Sequence, residues 1–235
     1  MTEEQGLRVM LAAACRRLHA RGLLAGAEGN LSCRLSNGDL LVTASGVDKG
    51  AIDHTHVLRV HADGTPFHEE RESALPGDPP ARDTPRRPSS ELGMHLACYA
   101  ARADVHAIVH AHPPAATGFA AAGIPIPADV LPELPVVVGP IALVPYGRPG
   151  TPALADAMRP FLAAHEVFLL ANHGVTAVGR SIEDALLRME SVEQSARILA
   201  VARLLGGARS LPPSEAARLA SLHPRYEHGA RTPVG

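Results

Sequence analysis

The chain has 235 residues, 46% of them apolar, which suits one globular domain over 1–235. Aromatics make up 3% and tryptophan is absent, so the core must be built from Ala, Leu, Val and Ile. The net charge is −2 with both signs interspersed, Lys49 is the only lysine, and no apolar run reaches the length of a membrane span; these features exclude a basic nucleic-acid footprint and a spanning helix.

The polar start Met1-Thr-Glu-Glu-Gln5 lacks the basic opening of a signal peptide. Cys15, Cys33 and Cys98 are odd in number and widely spaced, as expected of reduced thiols in a cytoplasmic protein. Residues 4–21 carry Leu7, Met10, Leu11, Ala14 and Leu18 at helical spacing, and Gly22 ends that helix. Leu23 to Gly38 is Gly-rich and polar. Asp39–Thr43 predicts a strand, followed by a loop at Ala44–Asp48, and Val57–His61 predicts a second strand. Residues 65–87, with charges and five prolines, predict an exposed loop.

Pro88-Ser-Ser-Glu91 predicts a helix start, with the helix running to about Ala103. Strands follow at Val105–His110, Pro135–Val138 and Ile141–Val144. Thr151-Pro152 opens a helix to about Ala164. Val167–Ala171 and Val175–Val178 predict strands around the turn Asn172-His173-Gly174. Ser181, with Asp184 placed as in a capping box, begins the longest helix, to about Leu205; residues 206–235 form a tail with one short helical piece. Several strand connections are too short for parallel crossovers, so a mixed, largely antiparallel sheet with helices on its faces is expected.

The candidate chemistry begins with histidines. His110 and His112 lie two apart at a strand end, and period-two alternation turns both imidazoles to one face. His173 arrives from the end of another strand. Three neutral imidazoles leave a tetrahedral zinc one open position, the arrangement of catalytic sites. With 13 histidines in the chain, a chance His-x-His pair is the competing reading. His106 shares the strand parity of His110 and is either a further ligand or a structural histidine. Three shorter motifs offer anion contacts. Gly29-Asn30-Leu-Ser32 combines a close-approach glycine with an amide, or is an ordinary turn. Thr43-Ala-Ser45-Gly46 offers a hydroxyl and free N–H groups, or is a turn. Ser89-Ser90-Glu91 offers hydroxyls and a helix start beside a carboxylate, or is simple capping.

Taken as an ordered set from about residue 5 to 205, these motifs resemble the class II aldolase/adducin family. They are Gly29-Asn-Leu-Ser-Cys-Arg34, Thr43-Ala-Ser-Gly46, Pro88-Ser-Ser-Glu91, His110-Ala-His112-Pro113, Pro145-Tyr-Gly-Arg-Pro-Gly-Thr151 and Ala171-Asn-His-Gly174. The resemblance implies an α/β fold, a three-layer α/β/α sandwich with a central, mostly antiparallel mixed sheet. It implies a metal held by His110, His112 and His173, Zn²⁺ first with Mn²⁺ or Fe²⁺ as alternatives. It implies that Asn30, Ser45, Gly46, Ser89 and Ser90 hold the phosphate of a small phosphorylated sugar-like substrate, and that Glu91 is the catalytic acid/base. It also implies a homotetramer with interfacial active sites. The expected activity is that of a lyase: aldol cleavage of a ketose phosphate through a metal-stabilised enediolate. The alternative puts the same site to epimerisation, decarboxylation or dehydration of a sugar or sugar-acid phosphate. An adducin-head-like interaction module is the non-enzymatic reading. Fuculose-phosphate aldolases place a tyrosine downstream of the His-x-His pair, where this chain has Ile126–Glu133 without one; Asp129, Glu133 or Tyr226 stands as the second acid/base. Lys49, the one lysine a Schiff-base mechanism would have, is expected in a polar loop.

Overall fold

The structure, a computed structural model, describes residues 1–67 and 86–223. The expected 65–87 loop falls largely outside the described residues, and Tyr226 lies wholly outside them.

Helix α1 spans Glu3–Ala20, opened by a Thr2/Gln5 capping box. Strands β1 (Asn30–Arg34), β2 (Leu40–Thr43) and β3 (Val57–Val60) form a meander. Then come α2 (Leu92–Ala101), β4 (Ala107–Ala111), α3 (Pro114–Ala121) and β5 (Ile141–Val144). The chain ends in α4 (Pro152–Leu162), β6 (Val167–Leu170), β7 (Gly174–Gly179), α5 (Ile182–Leu204) and α6 (Pro213–Ala220). The sheet order is β3-β2-β1-β4-β7-β6-β5. Every pairing is antiparallel except β5 with β6, which α4 connects as a crossover.

Strand alternation divides the core in two. Ala107, Val109 and Ala111 of β4 join Leu31, Leu41, Leu169 and Ala177 beneath α1, α3 and α5. The other parity, Ile108 with Leu40, Val42, Phe168 and Val178, packs beneath α2 and α4 around Met94, Met158 and Leu162. Helices thus cover both faces, giving the three-layer arrangement expected from the motifs. His110 shares its strand parity with Ile108, so it lies on the α2 side, opposite Asn30 across the β1–β4 register.

The structure departs from the sequence expectations in five places. First, β1 forms inside the stretch read as irregular, because Leu31 and Cys33 supply a buried alternating face despite flanking glycines. Second, α3 begins directly after His112-Pro113, where no helix was predicted. Third, Leu134–Val138 is a π-helical turn rather than a strand at 135–138. Leu134 and Val138 are both buried, the Gly139 N–H donates to the Leu134 carbonyl at 2.9 Å, and Pro135 has no N–H for a ladder. Fourth, α2 starts at Leu92, and Ser89 Oγ accepts from the Glu91 N–H (3.2 Å) without capping the helix. Fifth, Lys49 is 1% exposed. Its stem packs in the core, and its ammonium donates to the Ala27 and Val47 carbonyls at 3.2 and 3.0 Å. Burial lowers its pKa, opposed by Cys15 and Asp48.

Candidate metal centre

His110 and His112 reach the site from the end of β4, and His173 reaches it from the β6–β7 turn. Asn172, in the left-handed region at φ 56°, bends the chain so that His173 turns back over the sheet. Gly174 pairs with Leu170, and a Cβ on it would stand 2.5 Å from His112 Cδ2 and 2.7 Å from the Ala111 carbonyl. Gly29 has φ 67°, and a Cβ there would stand 2.6 Å from the His110 carbonyl. Glycine at both positions lets backbone close around the histidine strand.

One ligand atom from each of His110, His112 and His173 lies within 4.8 Å of the others. The ring centroids are 4.7 to 5.1 Å apart. The backbone fixes the tautomer of His110. His110 Nδ1 lies 3.0 Å from the Val175 carbonyl, an acceptor, so Nδ1 carries the proton and Nε2 presents a lone pair. His112 Nδ1 lies 3.4 Å from Glu28 Oε2, which places a carboxylate on the side of the ring away from Nε2. Nε2 of His110, Nε2 of His112 and Nδ1 of His173 are buried without a hydrogen bond, His110 Nε2 having only a 3.3 Å ion-pair contact to Glu91. Orphaned imidazole lone pairs converging in a buried corner are the donor set of a divalent metal, so the residues fit the group the resemblance implies. His112 has its pKa lowered by burial, with His110 and His173 adding to the effect, so its neutral, ligating form is favoured.

Glu91 sits against this cluster. Its Oε1 lies 3.0 Å from His173 Nε2 and its Oε2 3.3 Å from His110 Nε2. Burial raises the carboxyl pKa, but wherever the His110 and His173 rings carry a proton toward it, their hydrogen-bonding and charge outweigh burial and hold the group well below the usual carboxylate range.

The anion-contact candidates meet on the same side. An Ala44–Pro88 bridge, with the Ser45 N–H donating to the Arg87 carbonyl at 2.8 Å, joins the Ser45-Gly46 turn to the Ser89-Ser90 turn. Ser45, Gly46 and Ser90 are exposed. Asn30 is turned elsewhere: its Nδ2 donates to Glu91 Oε2 at 2.9 Å and its Oδ1 meets His95 Nε2 at 2.6 Å. A cavity of about 280 Å³ opens beside Ser90 and Glu91, bounded by Gly150, Thr151 and Arg159.

Among the described residues, Glu91 and Glu28 are the carboxylates within 4 Å of the three histidines. Glu133 is exposed at the start of the π-helical turn, and the Asp129 carbonyl accepts from the Leu211 N–H (2.7 Å). His106 is exposed at the edge of β4 and stands outside the cluster. Glu28 and His95 were not singled out from sequence. Neither carries a local signal, because their partners lie far along the chain.

Residues 9–200 match the Class II Aldolase and Adducin N-terminal domain family. A 3-oxo-tetronate 4-phosphate decarboxylase of Escherichia coli (strain K12) is 34% identical over 200 residues, covering 83% of this chain and 87% of that protein. A 5-deoxy-D-ribulose 1-phosphate aldolase of Bacillus thuringiensis serovar kurstaki is 31% identical over 213 residues, covering 90% and 92%. Among solved structures, YgbL from Escherichia coli superposes with a TM-score of 0.78 at 31% identity, covering 94% of this chain and all of that one. Family, sheet topology and histidine geometry therefore agree, and the chain belongs to the class II aldolase/adducin family as a metal-dependent lyase with a three-histidine metal-binding site.

Proposed function

We propose that this protein is a zinc-dependent decarboxylase of a phosphorylated 3-oxo sugar acid, rather than the ketose-phosphate aldolase that the motifs first suggest. One observation carries this reading. Among the described residues, Glu91 is the one carboxylate within 4 Å of His110 and His173, while Glu28 stands at His112 Nδ1. Aldol cleavage needs one group to take the proton of the alcohol that becomes an aldehyde and another to protonate the carbon left behind. Loss of CO₂ from a 3-oxo acid needs only the second. The decarboxylase relative supports the same choice.

A divalent ion held by three imidazoles acts as a Lewis acid toward substrate oxygens and offsets the negative charge that develops as a carbon–carbon bond breaks. Zn²⁺ is the proposed ion; Mn²⁺ and Fe²⁺ suit the same ligands. The protein's own groups do the rest. In a 3-oxo-tetronate 4-phosphate the C1–C2 bond breaks, CO₂ leaves, and the electron pair stays on the C2–C3–oxygen unit. One proton from solvent, passed through Glu91, then reaches C2, which leaves Glu91 ionised again, and dihydroxyacetone phosphate is released. Ser45, Gly46, Ser89 and Ser90 are proposed to hold the phosphate through hydroxyls and N–H groups at the joined turns. The opening beside Ser90 and Glu91 gives that phosphate a route from solvent. We include a homotetramer with interfacial sites in this proposal.

Aldol cleavage is retained as the second reading because of the 5-deoxy-D-ribulose 1-phosphate aldolase relative. Both reactions leave the same three-carbon phosphate, so the co-product separates them. Metal-loaded protein is expected to release CO₂ from 3-oxo-tetronate 4-phosphate. An aldehyde from a ketose 1-phosphate, with no CO₂ from the 3-oxo acid, would overturn the proposal in favour of the aldolase.

A further inference from the structure

Behind Glu91 a file of buried polar groups runs from the metal centre into the layer under α2. Asn30 Nδ2 donates to Glu91 Oε2 at 2.9 Å. Asn30 Oδ1 lies 2.6 Å from His95 Nε2, and His95 Nδ1 lies 2.6 Å from Ser32 Oγ. Ser32 Oγ lies 2.8 Å from the Tyr99 hydroxyl. Asn30, Ser32, His95 and Tyr99 are all buried. Local structure explains the alignment. Asn30 and Ser32 are two apart on β1 and share a face. His95 and Tyr99 are four apart on α2 and share a stripe, which Glu91 extends from the cap position. The stripe lies across the strand face, so the two sets interlock.

Ionised Glu91 can only accept, which dictates the polarity of the whole file. Asn30 must present its NH₂ to Glu91, so its Oδ1 faces His95 and must receive the Nε2–H. His95 Nδ1 is then an acceptor and takes the Ser32 O–H. The Ser32 oxygen takes the Tyr99 O–H in turn. A protonated imidazole would break this order, since it offers two donors and no acceptor.

We propose that His95 is a positioning residue for the acid/base at the metal centre: held as the neutral Nε2–H tautomer by Ser32 and Tyr99, it locks the Asn30 amide so that Asn30 aims and holds the Glu91 carboxylate. This deepens the reading of Glu91 given above and rests on it. Burial agrees with the tautomer. Together with His110 it pushes the His95 pKa down to about 3, against an opposing effect of Glu91. A hydrogen bond to a charged group that is built into a network is worth more than an isolated neutral one.

Two measurements on the metal-loaded protein test the proposal. Imidazole ¹⁵N spectra of histidine-labelled protein are expected to show His95, assigned by its loss in His95→Gln, as a neutral Nε2–H ring from pH 5 to pH 8. An Nδ1–H tautomer, or titration within that range, overturns the proposal. This readout does not depend on any substrate, so it stands even if the decarboxylase reading fails. In turnover, His95→Leu is expected to lower kcat by about tenfold or more, with KM within about twofold and bound metal unchanged. His95→Gln keeps an N–H donor near the Nε2 position and is expected to recover most of kcat. Equal losses in both variants, or a loss carried by KM, overturn the proposal.

Discussion

Gly174 shows how narrowly a single residue sets the metal centre. A Cβ at this position would meet the His112 ring at 2.5 Å and the Ala111 carbonyl at 2.7 Å, and backbone on that side cannot move without disturbing the β4–β7 ladder. The His112 ring must therefore shift. Gly174→Ala is expected to weaken metal binding by about tenfold or more, with the fold retained, as competition against a chromophoric chelator would measure. Wild-type affinity in this variant would show that His112 is not held by that contact. The histidines themselves were legible in the sequence because each carries a local mark: the two-residue repeat at a strand end for His110 and His112, and the apolar run followed by Asn-His-Gly for His173. Glu28, His95 and Lys49 carry none. Glu28 meets a ring 84 positions along, from Glu28 to His112, and nothing next to Lys49 in the sequence shows that it will be buried. Asn30 was legible as a site residue by its motif, yet the direction of its amide is set by Glu91 and His95, which only the folded chain brings together.

Elements follow the same rule, and α3 shows it most clearly. Its N-cap position is Pro113, which offers no side-chain cap, and its eight residues, four alanines with Pro114, Thr117, Gly118 and Phe119, give little hydrophobic asymmetry to read. The missing cap comes from α5: the buried Glu193 carboxylate accepts from the Ala115 and Ala116 N–H groups at 3.2 and 2.9 Å and also pairs with Arg197. The negative charge lies at the positive end of the α3 dipole. Because α3 begins two residues after His112, this cap also anchors the strand end that carries the ligand. Glu193→Ala is expected to cost about 2 kcal/mol, read from the denaturant midpoint at constant m. An unchanged midpoint would show that water or a rearranged turn replaces the cap. The π-helical turn at Leu134–Val138 escaped the sequence reading for a related reason: a short apolar run fits a strand or a helical turn equally by pattern, and only the spacing of its buried positions in the fold decides. The longer elements, α1, α4 and α5, were legible because starts and stops are local. Thr2 and Ser181 cap their helices through the Gln5 and Asp184 N–H groups, and Pro152 pre-sets the first turn of α4.

At the scale of the molecule, the sheet divides two unequal tasks. The α1/α3/α5 side carries the larger apolar core, while the α2/α4 side carries the polar file, the histidines and the opening beside Glu91. The outer end of α5 is different again. Val201, Leu204 and Leu205 are 55%, 87% and 81% exposed, and Leu187, almost four turns before Val201, is 50% exposed. Together they form apolar surface on a helix whose opposite face is already buried. The proposed homotetramer would provide a partner for this surface, since symmetric assemblies bury the same patch on every copy. Sedimentation at micromolar concentration is expected to give four times the 24.6 kDa chain mass. Leu204→Asp combined with Leu205→Asp is expected to shift that mass downward while each chain keeps its helical signal, because a charge brought into an apolar contact opposes association without touching the monomer core. If the wild-type protein sediments as a single chain, the tetramer falls and each site is complete within one protomer. If it is a tetramer that the double variant leaves intact, the interface lies on another face, and the end of α5 is free surface.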